Sequence, residues 1–155
     1  MSNRSPQNPN GLLPHWLICA SMLLLLLAYN IFCHVWADPF RLNLEESQRV
    51  LIRTVFYAIT IALFPLTNLV RHILLRLNQT MPGEKPAEQR YLVTIIATQS
   101  MIETVSLFGL VMFILGDDFN TLYIFSLLGA VGIYLHKPNQ PELEAINQAL
   151  SAKNR

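Results

Sequence analysis

The sequence predicts an all-α fold: a four-helix transmembrane bundle with antiparallel neighbours and both termini in the cytoplasm. Three observations predict it. Of the 155 residues, 52% are hydrophobic and only 14% charged, against about 25% charged in average soluble proteins. Four apolar stretches, separated by charges, prolines or polar turns, are close to the ~20 residues needed to cross a bilayer as a helix. Lysine and arginine are spread unevenly over the segments between them, which sets an orientation. The resulting plan is an N-terminal tail over 1–12, a membrane domain over 13–136 with spans at about 13–35, 50–77, 91–115 and 119–135, and a C-terminal tail over 137–155.

The first span carries Trp16 and Trp36 twenty residues apart. That is about 30 Å of helix, which puts one indole at each membrane interface. Val35-Trp36-Ala37 has the small-x-small look of a signal cleavage site. The apolar core before it is much longer than the ~7–15 residues of a signal peptide, so a retained span is expected. Both cysteines, Cys19 and Cys33, fall here. They would lie roughly 21 Å apart on one helix, too far to bridge, and read as small apolar side chains.

The second span has its apolar centre between Arg53 and Arg71, whose long side chains can reach back to the interface. Asn43-Leu44-Glu45-Glu46 reads as an N-cap with a capping-box glutamate, so the helix should start near Asn43. It should continue past Arg71 through Arg76 and bend at Pro65. Asn78 to Pro86 reads as a loop by its Pro82-Gly83 turn, and Pro86 suits the first turn of the third helix.

The third span contains one charge, Glu103, with twelve residues on each side. An ionised side chain at that depth costs at least ~3 kcal/mol, so Glu103 requires a partner, a proton or a water-filled path. Gln99, Glu103 and Ser106 share one helical face by their i, i+4, i+7 spacing, and form the candidate ion or proton site. Tyr57, Thr60 and Asn68 of the second span recur near helical spacing and are candidate partners in a polar network, with Tyr29 and Asn30 of the first span beside them. The competing role for Glu103 is a protonated acid that holds helices together. Such hydrogen bonds average only ~0.6 kcal/mol in membranes, a small return for the cost of burial.

Gly116-Asp117-Asp118-Phe119-Asn120 reads as a tight polar turn into the short fourth span. There Ser126 and Ala130 form a small-xxx-small pair, and Gly129 and Gly132 allow close approach of a neighbouring helix. In the tail, Leu143, Ile146 and Leu150 line one stripe of a short helix opened by Pro141. That stripe is suited to lipid headgroups or a partner, and the alternative is a frayed, solvated tail.

Four spans place both ends of the chain on one side together with the second loop. That side holds Arg4, Arg71, Arg76, Lys85, Arg90, Lys137, Lys153 and Arg155, while the other holds Arg41, Arg49 and Arg53. Eight against three places the first group in the cytoplasm and the protein in the cell inner membrane as a multi-pass chain. The net charge of +1 gives no basic field for nucleic acid. The partners expected are the bilayer and either another membrane protein or a second copy. No nucleophile constellation, phosphate loop or metal-ligand spacing is present, so no enzyme activity, cofactor or metal is expected. His15, His72 and His136 fall at one interface and His34 at the other, whereas a haem needs two imidazoles facing each other.

The run Glu103-Thr104-Val105-Ser106-Leu107-Phe108-Gly109-Leu110, followed by an apolar stretch to Leu115, resembles the ion-carrying helix of rotary ATPase c/K (proteolipid) subunits. The resemblance implies that Glu103 is an ion-binding carboxylate, assisted by Gln99 one turn earlier. Rotor subunits pack a glycine-rich helix, whereas the first span here has no glycine after Gly11. As a whole the chain is more similar to small four-span bacterial inner-membrane proteins of unknown function. Two roles follow: a small integral subunit or accessory protein with a polar network around Glu103, or a proton- or ion-carrying proteolipid-like subunit or small ion-coupled carrier.

Overall fold

The computed structural model describes residues 11–153. Arg4 and Arg155 of the charge count lie outside them. The described residues form five α-helices and no strand: α1 (Leu13–Val35), α2 (Glu46–Thr80), α3 (Ala87–Ile114), α4 (Phe119–Leu135) and α5 (Gln140–Lys153), with a short 3₁₀ turn at Asp38–Phe40. Helices α1, α2 and α3 are each long and apolar enough to cross a membrane. Helix α4 has 17 residues, about 26 Å, and reaches the required length together with α5, to which it is bent by 42°.

Helix α3 is the hub. Half of its most apolar stretch is buried, against 17% for α1 and 11% for α2, so those two turn most of their leucines and isoleucines outward. The pairings fix the directions. Ser106 and Ile102 of α3 meet Gly129 and Gly132 of α4, so the two helices run antiparallel. Phe56 stacks on Phe108 while Asn78 bonds Thr94, so α2 is antiparallel to α3 as well. Helix α1 runs parallel to α3, with Cys19 beside Gln99 at one end and Cys33 packed with Phe113 at the other.

Small residues are what let α3 and α4 approach. A Cβ at Gly129 would collide with Ser106 Oγ, and one at Gly132 would come within 2.6 Å of Ile102 Cγ2. Membrane helices gain little from water exclusion and depend on such close packing. The glycines of α4 therefore pack within the chain.

Several expected local features differ. Helix α2 is capped at Glu45 without a side-chain hydrogen bond, so the Asn43 capping box is not made. Pro65 lies inside α2, which continues past it and past Arg71 to Thr80 as expected. Pro86 is the N-cap of α3 rather than a first-turn residue. The stripe on α5 faces neither headgroups nor a partner. Leu143 and Ile146 are buried against Ala87, Tyr91 and Ile95 of α3, with Leu75 of α2 and Leu150 alongside. Burying the stripe within the chain uses an apolar surface that one end of the helix bundle already offers.

Candidate functional site

Glu103 stands near the middle of α3 and is 5% exposed. Neither of its carboxyl oxygens has a hydrogen-bond partner among the described residues. The hydroxyl of Ser106 and the amide oxygen of Gln99, on the same face, are also buried without a partner. Three oxygen-bearing side chains thus follow one another along a buried helical face. Tyr29 of α1 lies close enough to interact electrostatically with Glu103. Such unpaired buried groups are costly, and each calls for an explanation in proton, ion or water binding.

Of the residues considered as partners for Glu103, Tyr57, Asn68 and Asn30 are engaged elsewhere. Tyr57 stacks on Phe125 with ring centroids 4.8 Å apart. Asn68 pairs with His136 Nε2 at 3.0 Å. Thr60 is buried with its hydroxyl unpartnered, while Asn30 donates to Ser126 Oγ at 2.9 Å. Ala130 packs beside Leu26, Ile102 and Ile133.

The extended polar network lies at the end of the fold where α4 closes. Gln99 Nε2 donates to the His136 carbonyl at 3.0 Å, the Ile133 carbonyl at 3.3 Å and Cys19 Sγ at 3.1 Å. The His136 ring, 2% exposed, meets the Gly132 carbonyl through Nδ1 at 2.9 Å. Arg71 donates to the same His136 carbonyl at 2.8 Å and grips Glu142 at 2.7 Å. Tyr91 donates its hydroxyl proton to Glu142 at 2.8 Å and accepts from the Asn139 amide at the same distance. Arg71 therefore clamps α5 onto α2 and the end of α4.

The opposite end is built the same way. Arg53 pairs with Asp117 at 3.2 Å, Arg49 donates to the Gly116 carbonyl at 2.7 Å, and Arg41 donates to the Asp117 carbonyl at 3.0 Å. All three arginines of that side converge on the α3–α4 turn. Gly116 is required there: its φ is +98°, and a Cβ would run into the Leu42 carbonyl. Arg53 and Arg71 are eighteen residues apart, five helical turns and about 27 Å. One face of α2 thus carries both clamps at a separation close to the hydrocarbon thickness.

Three of the four histidines have hydrogen-bond partners in the fold. His15 is buried and donates to the Glu88 carbonyl at 3.1 Å, and His34 shares a hydrogen bond with Tyr123 at 2.8 Å. No cluster of three or more metal-ligating side chains occurs among the described residues. Comparison with family models, with curated proteins and with solved structures gave no match.

What defines the site is thus its geometry: an all-α chain with several helices able to cross a membrane, a hub helix carrying an unpaired buried acid, and an arginine clamp at each end.

Proposed function

We propose that this is a multi-pass protein of a bacterial inner membrane, a four-helix antiparallel bundle with both termini in the cytoplasm. In this reading it serves as a small integral subunit or accessory protein whose central helix carries a proton-binding site at Glu103, assisted by Gln99 and Ser106. One observation carries the reading: the carboxyl is buried mid-helix, and neither oxygen bonds a neighbouring helix among the described residues. An acid retained only to join helices would make those bonds. Without them, its burial is accounted for by reversible proton binding, the default role of an acid at membrane depth. Ion carriage of the rotary-proteolipid kind rests on the same carboxyl. Its interior position, covered by neighbouring helices, favours a site that is reached by a proton over one that meets a partner subunit at the lipid face.

The test is reconstitution of the purified protein in liposomes with a pH-sensitive dye inside and a potassium diffusion potential. Wild type should move protons, and a hydrophobic carbodiimide should label Glu103 and stop the movement. Glu103→Gln keeps the shape of the protonated acid, so it should fold with an unchanged melting temperature and fail to move protons. Absence of labelling, together with full stability of Glu103→Leu, would remove the basis for a proton site.

A further inference from the structure

An apolar groove opens between α1 and α4 at the end where α1 begins and α4 closes. Its volume is about 320 Å³, and its lining includes Trp16 and Cys19 from α1, Ala130, Ile133 and Tyr134 from α4, and Lys137 just beyond α4. That volume falls at the lower end of ligand-binding cavities. Trp16 and Tyr134 are 49% and 66% exposed, and such amphipathic rings sit at the depth of lipid headgroups. The backbone of Lys137 is held in place, since its carbonyl accepts from Arg71 Nη2 at 3.1 Å. Its ammonium lies 4.3 Å from the centre of the Tyr134 ring and forms no ion pair among the described residues. An apolar slot thus ends at an exposed cation without a counter-charge.

We propose that this groove binds an anionic phospholipid, with one acyl chain lying along Cys19, Ala130 and Ile133 and the phosphate paired with Lys137. Charge complementarity selects this occupant. A zwitterionic lipid would fill the slot equally well but bring less net negative charge to the ammonium, and basic pockets between membrane helices commonly hold acidic headgroups. The proposal rests on the membrane setting proposed above and not on proton binding at Glu103.

The experiment is native mass spectrometry of the full chain in detergent, titrated with phosphatidylglycerol or phosphatidylcholine carrying the same oleoyl chains. Wild type should hold phosphatidylglycerol about fivefold more tightly, the order expected for one basic side chain at an anionic headgroup. Lys137→Gln should reduce that affinity to the phosphatidylcholine level, and Ala130→Phe, which fills the slot, should weaken both lipids. Equal affinities in wild type, or a preference that survives Lys137→Gln, would overturn the proposal. So would a dimer that Ala130→Phe converts to monomer, because a second copy would then occupy the groove. If Ala130→Phe does not fold, Lys137→Gln decides alone, since that side chain is exposed. A chain that stays soluble without detergent and takes up neither lipid would instead refute the membrane setting itself.

Discussion

Arg71 of α2 holds Glu142 of α5 through two contacts, Nε to Oε1 at 3.2 Å and Nη2 to Oε2 at 2.7 Å. The Arg71 side chain is 11% exposed and that of Glu142 25%, so the pair is neither fully dry nor freely hydrated. Tyr91 of α3 donates to the same carboxylate, and one acidic residue therefore ties three helices together. Removing Glu142 would strand a guanidinium in a largely buried place, although Arg71 would keep its bonds to the carbonyls of His136 and Lys137.

Glu142→Gln should therefore lower stability by about 2–3 kcal/mol, somewhat less than the ~3–5 kcal/mol for breaking a fully buried pair. The loss should be local, with α5 becoming accessible to protease while α1–α4 remain resistant. Thermal melts in detergent combined with limited proteolysis would measure both effects. Unchanged protection of α5 in Glu142→Gln would show that Leu143 and Ile146 suffice to hold it.

The contact between Gly129 and Ser106 predicts a specific rescue. Gly129→Ala places a methyl group where Ser106 Oγ stands, and overpacking of this kind typically costs about 1–3 kcal/mol. Ser106→Ala removes the obstructing oxygen and leaves Ser106 Cβ 3.2 Å from the new methyl position, a tight contact that a small shift relieves. The double variant should recover most of the melting temperature lost by Gly129→Ala. Additive losses would mean that α4 is rotated away from this face.

Asp118 caps α4 by accepting from the Thr121 amide at 3.0 Å. That backbone hydrogen bond, followed by the Thr121 hydroxyl and the nearby Arg53 charge, holds its carboxyl below the ordinary value of 3.8. A group lowered in the folded state contributes stability that is complete above its unfolded value and lost as pH falls through its folded value. Asp118→Ala should cost about 1 kcal/mol at neutral pH. Asp118→Asn should keep the cap but lose its pH dependence, so the gap between wild type and Asp118→Asn should close as melts are run from pH 6 to pH 3. A gap constant over that range would assign the stabilisation to the cap geometry alone.

The apolar runs and their punctuation made the helices legible. α1 spans the stretch that Trp16 and Trp36 bracket, and the turn at Gly116 separates α3 from α4. The small residues of α4 were legible for the same reason, because close packing requires them wherever the partner lies. Side-chain partners were not legible. Periodicity places Asn68 and Gln99 on helix faces, but which atoms meet depends on how α2, α3 and α4 are rotated and shifted against one another. The partners of Arg53 and Arg71 stayed hidden for that reason. Nothing local in the sequence announces that Asp117 and Glu142, 64 and 71 residues further along, lie within reach.

Orientation is the last prediction, and charge carries it. Lys85 and Lys137 are among the exposed basic residues on the side expected to be cytoplasmic; on the other side Gln48 and Asn120 are exposed. The native cysteines Cys19 and Cys33 are buried, so a membrane-impermeant maleimide should react with them slowly. Single cysteines at 85 and 137 should then be protected in intact cells and labelled after the membrane is opened, whereas cysteines at 48 and 120 should be labelled from outside. The reverse pattern would invert the protein against the positive-inside rule. Labelling of 120 and 137 from the same side would mean that α4, at about 26 Å, does not cross, leaving three spans and separating the ends of the chain.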